Sequence, residues 1–187
     1  MTPSSIPWTD DEEANRLLAS DANALMIGFA LDQQVSVQKA FAGPKVLRER
    51  LGHLDPQRIA ALDPDAFADV CAERPAVHRF PRAMAGRIQA LCAAIAADYD
   101  GDASRIWLGA SDGADLMRRL GELPGFGAMK VGSLAMLLHL RYDLGLAGLA
   151  ELVPKHPVLG SVASAEELAR YQAGKRELKA KARAARA

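Results

Sequence analysis

Between Leu123 and Tyr142 the chain carries a turn, Leu123-Pro124-Gly125-Phe126-Gly127, followed at once by an apolar run of helical spacing. Proline is expelled from helix interiors, and two glycines allow a reversal too tight for residues with side chains. Upstream, Ser111 and Asp112 offer side-chain oxygens to cap a helix running through Leu120. Two helices joined by a short corner are therefore predicted here, the second spanning Ala128 to Tyr142.

The rest of the chain is punctuated in the same way. Met1 to Asp11 contains Pro3 and Pro7 and reads as an irregular arm, with Trp8 available to pin it to the body. Asp10 or Asp11 can cap a short helix ending at Ser20, and Asp21 precedes a long apolar helix from Ala24 to Phe41. Gly43-Pro44 is expected to break that helix, leaving a short one from Pro44 to Leu51. Asp55-Pro56 and Asp63-Pro64 each place a capping carboxylate before a first-turn proline, a strong helix start. Pro81 opens another helix, with Met84, Ile88, Leu91, Cys92 and Ile95 on one side, and Asp100-Gly101-Asp102 closes it. Leu144 to Ser161 is looser. Ser164 followed by Glu167 fits a reciprocal cap for a last helix.

Thr appears only at positions 2 and 9, Ala and Leu dominate, and no strand pair with hairpin chemistry is present. The fold class is all-α. The length of 187 residues suits one globular unit with a real core. Formal net charge is zero, which argues against a binder that uses its whole surface for nucleic acid. From Arg170 onward, however, Lys175, Arg176, Lys179, Lys181, Arg183 and Arg186 add to Arg170 and face only Glu177. Positive charge is thus concentrated at the C-terminal end. Cys71 and Cys92 lack C-x-x-C spacing and read as buried thiols, and two cysteines cannot supply the thiolates of an iron–sulfur cluster. No cofactor or metal is expected: His53, His78, His139 and His156 are scattered, without paired helical spacing. No basic leader precedes an apolar stretch, and no apolar span is long enough to cross a membrane. A cytoplasmic monomer is the default expectation.

The helical corner has its own chemistry. Gly125 and Gly127 let a phosphodiester approach the backbone, and N–H groups at the start of the second helix suit one phosphate. Phe126 would plug between the two helices, and Lys130 could reach the same phosphate. An ordinary helical corner needing glycines for geometry alone is the competing reading.

Two further blocks decide between them: Leu31-Asp32-Gln33-Gln34-Val35 and Lys39-Ala40-Phe41-Ala42-Gly43-Pro44. With the Leu123–Gly127 turn, they resemble the helix-hairpin-helix/Gly-Pro-Asp (HhH-GPD) superfamily of base-excision DNA glycosylases, and within it a small uncharacterised bacterial family. The resemblance spans about residues 20–165 and implies a two-lobed helical fold with a cleft. It also implies binding of double-stranded DNA, with one nucleotide extruded from the bent duplex. The implied DNA contacts are Leu123, Gly125, Phe126, Gly127, Ala128 and Lys130 at the hairpin, and Gln33 and Gln34 near the lesion. Amides suit base edges because each offers a donor and an acceptor.

Cleaving an N-glycosidic bond builds positive charge on the deoxyribose, so a carboxylate is wanted. The resemblance places it in the loop beyond the hairpin's second helix, at a position that falls here on Ala147. Asp143 and Glu151 flank that position as candidates, Asp143 first. The related block Ser-Val-Ala-Asp reads Ser161-Val162-Ala163-Ser164 in this chain. Lyase members carry a nucleophilic lysine where Met129 stands, and Lys130 is rotated about 100° further around the helix.

The organisation expected is an arm and short helix over 1–20, a helical domain over 21–165 and a basic tail over 166–187. The function expected is a monofunctional DNA N-glycosylase of base-excision repair. A catalytically inactive lesion or DNA-structure binder on the same scaffold is the alternative, and an interaction protein without nucleic acid is a third.

Overall fold

The computed structural model describes residues 3–184, and among them every regular element is helical. Helix α1 (Glu12–Ser20) starts where Asp11 accepts hydrogen bonds from the Glu13 and Ala14 amides, and α2 (Ala22–Leu31) starts on Asp21. Helix α3 spans Val37–Leu51. The Asp55-Pro56 and Asp63-Pro64 pairs begin α4 (Pro56–Ala60) and α5 (Pro64–Ala72), each carboxylate accepting from two backbone amides. Pro81 opens α6 (Pro81–Tyr99), which ends at Asp100 in the left-handed region. A short α7 (Arg105–Leu108) precedes the hairpin helices α8 (Gly113–Gly121), capped by Asp112, and α9 (Ala128–Arg141). Beyond them lie α10 (Leu149–Leu152), a single 3-10 turn (Leu159–Ser161) and α11 (Ala165–Ala184). The cap of α11 forms at Ser164, whose Oγ accepts from the Glu167 amide, but the returning Glu167 Oε2 accepts from the amide of Ala163, one residue before the predicted partner Ser164.

Two expectations are corrected. The apolar run from Ala24 to Phe41 is not one helix. It breaks over residues 32–36, where Gln34 adopts φ +55° and Ser36 caps α3 by accepting from the Lys39 amide at 3.2 Å. Conversely, Gly43-Pro44 does not break α3. Pro44 removes one internal donor, but Val37, Ala40, Phe41, Pro44 and Leu47 are all buried, and this packing outweighs the lost bond. Gly43 is needed for a different reason, since a Cβ there would overlap the Leu31 side chain of α2.

Helices α4 to α6 pack together, and α7 to α10 with the 3-10 turn pack around the hairpin. Helices α1 to α3 associate with one another, and α2 and α3 also meet the α4–α6 group. Helix α2 is the axis: Ala24 through Leu31 are all buried, so it faces protein on every side. One continuous apolar core joins these groups. The N-terminal arm is part of it. Trp8 is fully buried edge-on against Phe29 and Phe41, at 5.8 and 4.7 Å between ring centres, as its lone position in the arm suggested. Against α9 the returning chain lies flush: a Cβ at Gly160 would overlap the Ser133 carbonyl, and one at Gly132 would press on Pro154. Cys71 and Cys92 are buried, and burial pushes both thiols up to about 12.

Candidate nucleic-acid interface

The hairpin turn divides cleanly into an inward and an outward part. Leu123 and Phe126 are each 5% exposed, and Phe126 packs 6.1 Å from Phe29 of α2. Their side chains hold the corner to the core, while Gly125 and Gly127 are exposed. Gly125 lies at φ +78° with open space where a Cβ would stand, and Gly127 is extended and equally open. Gly127 caps α9 without a side-chain acceptor, while its carbonyl accepts from the Lys130 and Val131 amides. The amides of Ala128 and Met129 precede those bonds at the start of the helix, on exposed residues.

Lys130, expected at a phosphate, is turned towards the protein. Its Nζ is buried without a hydrogen-bond partner and lies 5.7 Å from the centre of the Phe126 ring. Burial holds its ammonium below the usual lysine range, the Asp32 carboxylate pulling the other way and Arg87 adding to the depression. Met129, by contrast, is 74% exposed.

Asp32, at the end of α2, is the carboxylate whose charge acts on Lys130, and its sequence position alone gives it no functional role. Burial pushes its carboxyl above the ordinary range, while Lys175 of α11 and Lys130 of α9 act against that rise. Its backbone amide bonds the Gly28 and Phe29 carbonyls, fixing where the chain leaves the helix. The next residues are held as well. The Gln33 carbonyl sits 2.7 Å from His78 Nε2, and its side-chain oxygen accepts from Arg87 of α6. Gln33 is thus partly occupied by protein, whereas Gln34 is exposed on a left-handed backbone. The structure brings Gln33, Gln34 and Lys130 to one neighbourhood and adds Asp32, Arg87 and Lys175.

Helix α11 completes that neighbourhood. Gln172 and Gln38 of α3 form a reciprocal amide pair, at 2.8 and 3.4 Å, and Lys175 lies over the Tyr171 ring at 5.3 Å. An apolar groove of about 540 Å³ runs beside this helix, lined by His156, Pro157, Val162, Tyr171, Lys175 and Leu178. Arg176, Lys181 and Arg183 are exposed beyond it. Arg186 and the Lys179 side chain, counted above in the basic tail, lie outside the described residues.

Asp143 and Glu151 are elsewhere. Asp143 follows α9 at its far end, roughly 20 Å along the axis from the hairpin at 1.5 Å per residue. It is exposed in a left-handed conformation, φ +51°, and its neighbour Tyr142 is tied to Ala19 of α1. Glu151 is exposed on α10, which packs where Gly113 begins α8, at the end of that helix opposite the turn. Neither joins the Lys130–Asp32 cluster. The signal that could have drawn attention to Asp32 is its place between a fully apolar helix and paired amides, where a carboxylate has little access to solvent.

The model of the HhH-GPD superfamily base excision DNA repair proteins matches residues 27–182, which include the α2 turn, the hairpin and most of α11. The chain belongs to that superfamily. No curated protein and no solved structure matches it. The family assigns the chain to base-excision DNA repair and to DNA binding. Among the described residues no helix is long and apolar enough to cross a membrane.

Proposed function

We propose that the protein is a monofunctional DNA N-glycosylase that removes a damaged or mismatched base from double-stranded DNA. The observation that carries this reading is the convergence at one place of an open glycine turn at the start of α9, the Gln33-Gln34 turn and a partly desolvated Lys130–Asp32 pair. A phosphate is held by backbone amides and the positive end of α9. Gln34 is free to reach a base edge, and the groove along α11 has the size of a small-molecule site. Met129 stands outward where the lyase lysine is expected, and Lys130 faces inward, which supports hydrolysis without strand cleavage. The chemistry needs no cofactor, and we infer a cytoplasmic monomer.

The test has two parts. Duplexes bearing uracil, alkylated purines, oxidised bases and mismatches are incubated with the protein, and base release is measured with and without alkaline cleavage of the abasic product. Release that yields strand breaks only after alkali supports the proposal, whereas silence across the panel with retained binding indicates a DNA-lesion or DNA-structure binder. For the hairpin, Ala128→Asp places a carboxylate at the first position of α9, where it favours the helix but competes with a phosphate. We expect intact folding, weaker duplex binding and a salt dependence reduced by roughly one phosphate contact. Unchanged affinity would remove the hairpin from the DNA interface.

A further inference from the structure

Asp32 stands out among the carboxylates of this protein. Most of the others cap helices, form ion pairs or point into solvent; Asp11, Asp55, Asp63 and Asp115, for instance, each accept from backbone amides. The Asp32 side chain makes no hydrogen bond among the described residues, although its backbone is anchored and the turn behind it is clamped by His78 and Arg87. It is flanked by two ammonium groups from separate elements, Lys130 on α9 and Lys175 on α11. A structural carboxylate in such a position would be expected to close a salt bridge, because an unpaired, partly buried charge is costly. Here neither lysine closes one, and Lys130 Nζ is itself left without a partner. Asp32 and Lys130 are both partly desolvated and act on one another's charge without closing an ion pair, on elements that also carry the Gln33-Gln34 turn and the open hairpin.

We propose that Asp32 is the catalytic carboxylate of this site, facing the deoxyribose of the nucleotide that the hairpin and the Gln33-Gln34 turn hold. This rests on the glycosylase reading above. In the reaction the C1′–N bond breaks and its electron pair leaves with the base. The ionised Asp32 offsets the positive charge that develops on the sugar. Water then bonds C1′ through its oxygen, gives a proton to Asp32, and that proton passes to the departing base nitrogen. Burial raises the Asp32 carboxyl, which makes the carboxylate a stronger proton acceptor than an exposed one, and Lys175 and Lys130 oppose that rise. Lys130 acts as a positioning residue, with its ammonium set by Phe126 below and Asp32 beside it.

The experiment uses charge rather than an unknown lesion. The full chain is titrated with two duplexes, one carrying a cationic pyrrolidine in place of a single deoxyribose and one carrying a neutral tetrahydrofuran. The wild-type protein is expected to favour the cationic duplex at least tenfold. Asp32→Asn should erase that preference, leave tetrahydrofuran binding within about twofold and retain a cooperative thermal transition. Asp32→Glu, which keeps the charge on a longer stem, should recover part of it. A wild-type protein without the preference, or an Asp32→Asn protein that retains it, overturns the proposal. With any lesion the wild-type protein excises, Asp32→Asn should slow base release by about 10²-fold or more, and Asp32→Glu should shift the acid limb of its pH profile. Lys130, Lys175, Arg87 and His78 are the other charged or titratable groups bordering the site, and they are unchanged in both variants. An excision panel silent for wild type brings down the glycosylase reading independently of the analogue result.

Discussion

The two ends of α9 are built from the same kind of residues and do opposite things. At its C-terminal end, polar groups are used to fasten the chain. Tyr142 donates its hydroxyl to the Ala19 carbonyl at 3.2 Å and sets its ring 6.2 Å from that of Trp107. Arg141 bonds the Ser5 carbonyl of the arm. At the N-terminal end, Gly125 and Gly127 leave backbone open, and Lys130, Asp32 and Lys175 are gathered without closing salt bridges. At one end the side chains tie the helix to the arm and to α1, although Arg141 Nη1 is buried without a partner as Lys130 Nζ is; at the other, no such tie is made and the glycine backbone stays open. A carboxylate at the fastened end marks where the helix stops, whereas one at the open end has chemistry left to do.

The strongest way to break this contrast is to invert a charge at the open end. Lys130→Glu would set a second carboxylate against Asp32 in a desolvated corner and over the face of Phe126. We expect a loss of about 2 kcal/mol or more in urea unfolding. Lys130→Met fills the same space without charge and should cost less than about 1.5 kcal/mol. Because Lys130 faces inward, Lys130→Met should also leave the salt dependence of duplex binding unchanged. A slope reduced by one contact would place the ammonium on a phosphate and reverse the inward assignment.

At the fastened end, Tyr142→Phe removes a hydrogen bond donated from a phenol that burial pushes up to about 12. A stability loss of about 1 kcal/mol is expected, with duplex affinity and base release untouched. A change in DNA binding would show that the two ends communicate.

A smaller effect is the pH dependence of stability. Asp32 has a native pKa above that of the unfolded chain, chiefly from burial. Its favourable contribution is full below the unfolded value. As pH rises the unfolded chain ionises first, so the contribution is lost through to the native value. The stability of wild type minus that of Asp32→Asn should therefore decline from acid towards neutral pH. Thermal melts of both proteins at stepped pH measure this difference, and a difference that instead rose with pH would mean that Lys130 and Lys175 outweigh burial.

Much of the fold was legible because it is written in local chemistry. Asp-Pro pairs, the Ser164–Glu167 cap and the Gly-Phe-Gly corner act through backbone groups within a few residues, and each forms where the sequence places it. The errors arose where packing between distant elements decides. Continuity through Pro44 depends on α3 being buried along one side, and the break at residues 32–36 depends on Ser36 and on the clamp from His78 and Arg87. The site shows the same limit. The turn at Gly125–Gly127 is visible from sequence, but the direction of Lys130 and the placement of Asp32 between α9 and α11 are set by folding. Spacing along the chain points to Asp143, and the length of α9 sets that residue well away from the hairpin turn.

The last comparison carries the smallest expected effect and the sharpest contrast. Asp143 ends α9 in the left-handed region, a conformation that asparagine also tolerates, and it is exposed. Asp143→Asn should leave stability within about 0.5 kcal/mol, as for most surface changes, and leave the preference for a cationic sugar analogue intact. Glu151→Gln, on the exposed side of α10, should behave alike. If either substitution abolished the preference while Asp32→Asn spared it, the roles of the two ends would be exchanged. A loop carrying Asp143 or Glu151 would then have to fold back along α9 when DNA binds, against the packing of Gly132 on Pro154 and of Gly160 on Ser133 that now holds the returning chain in place.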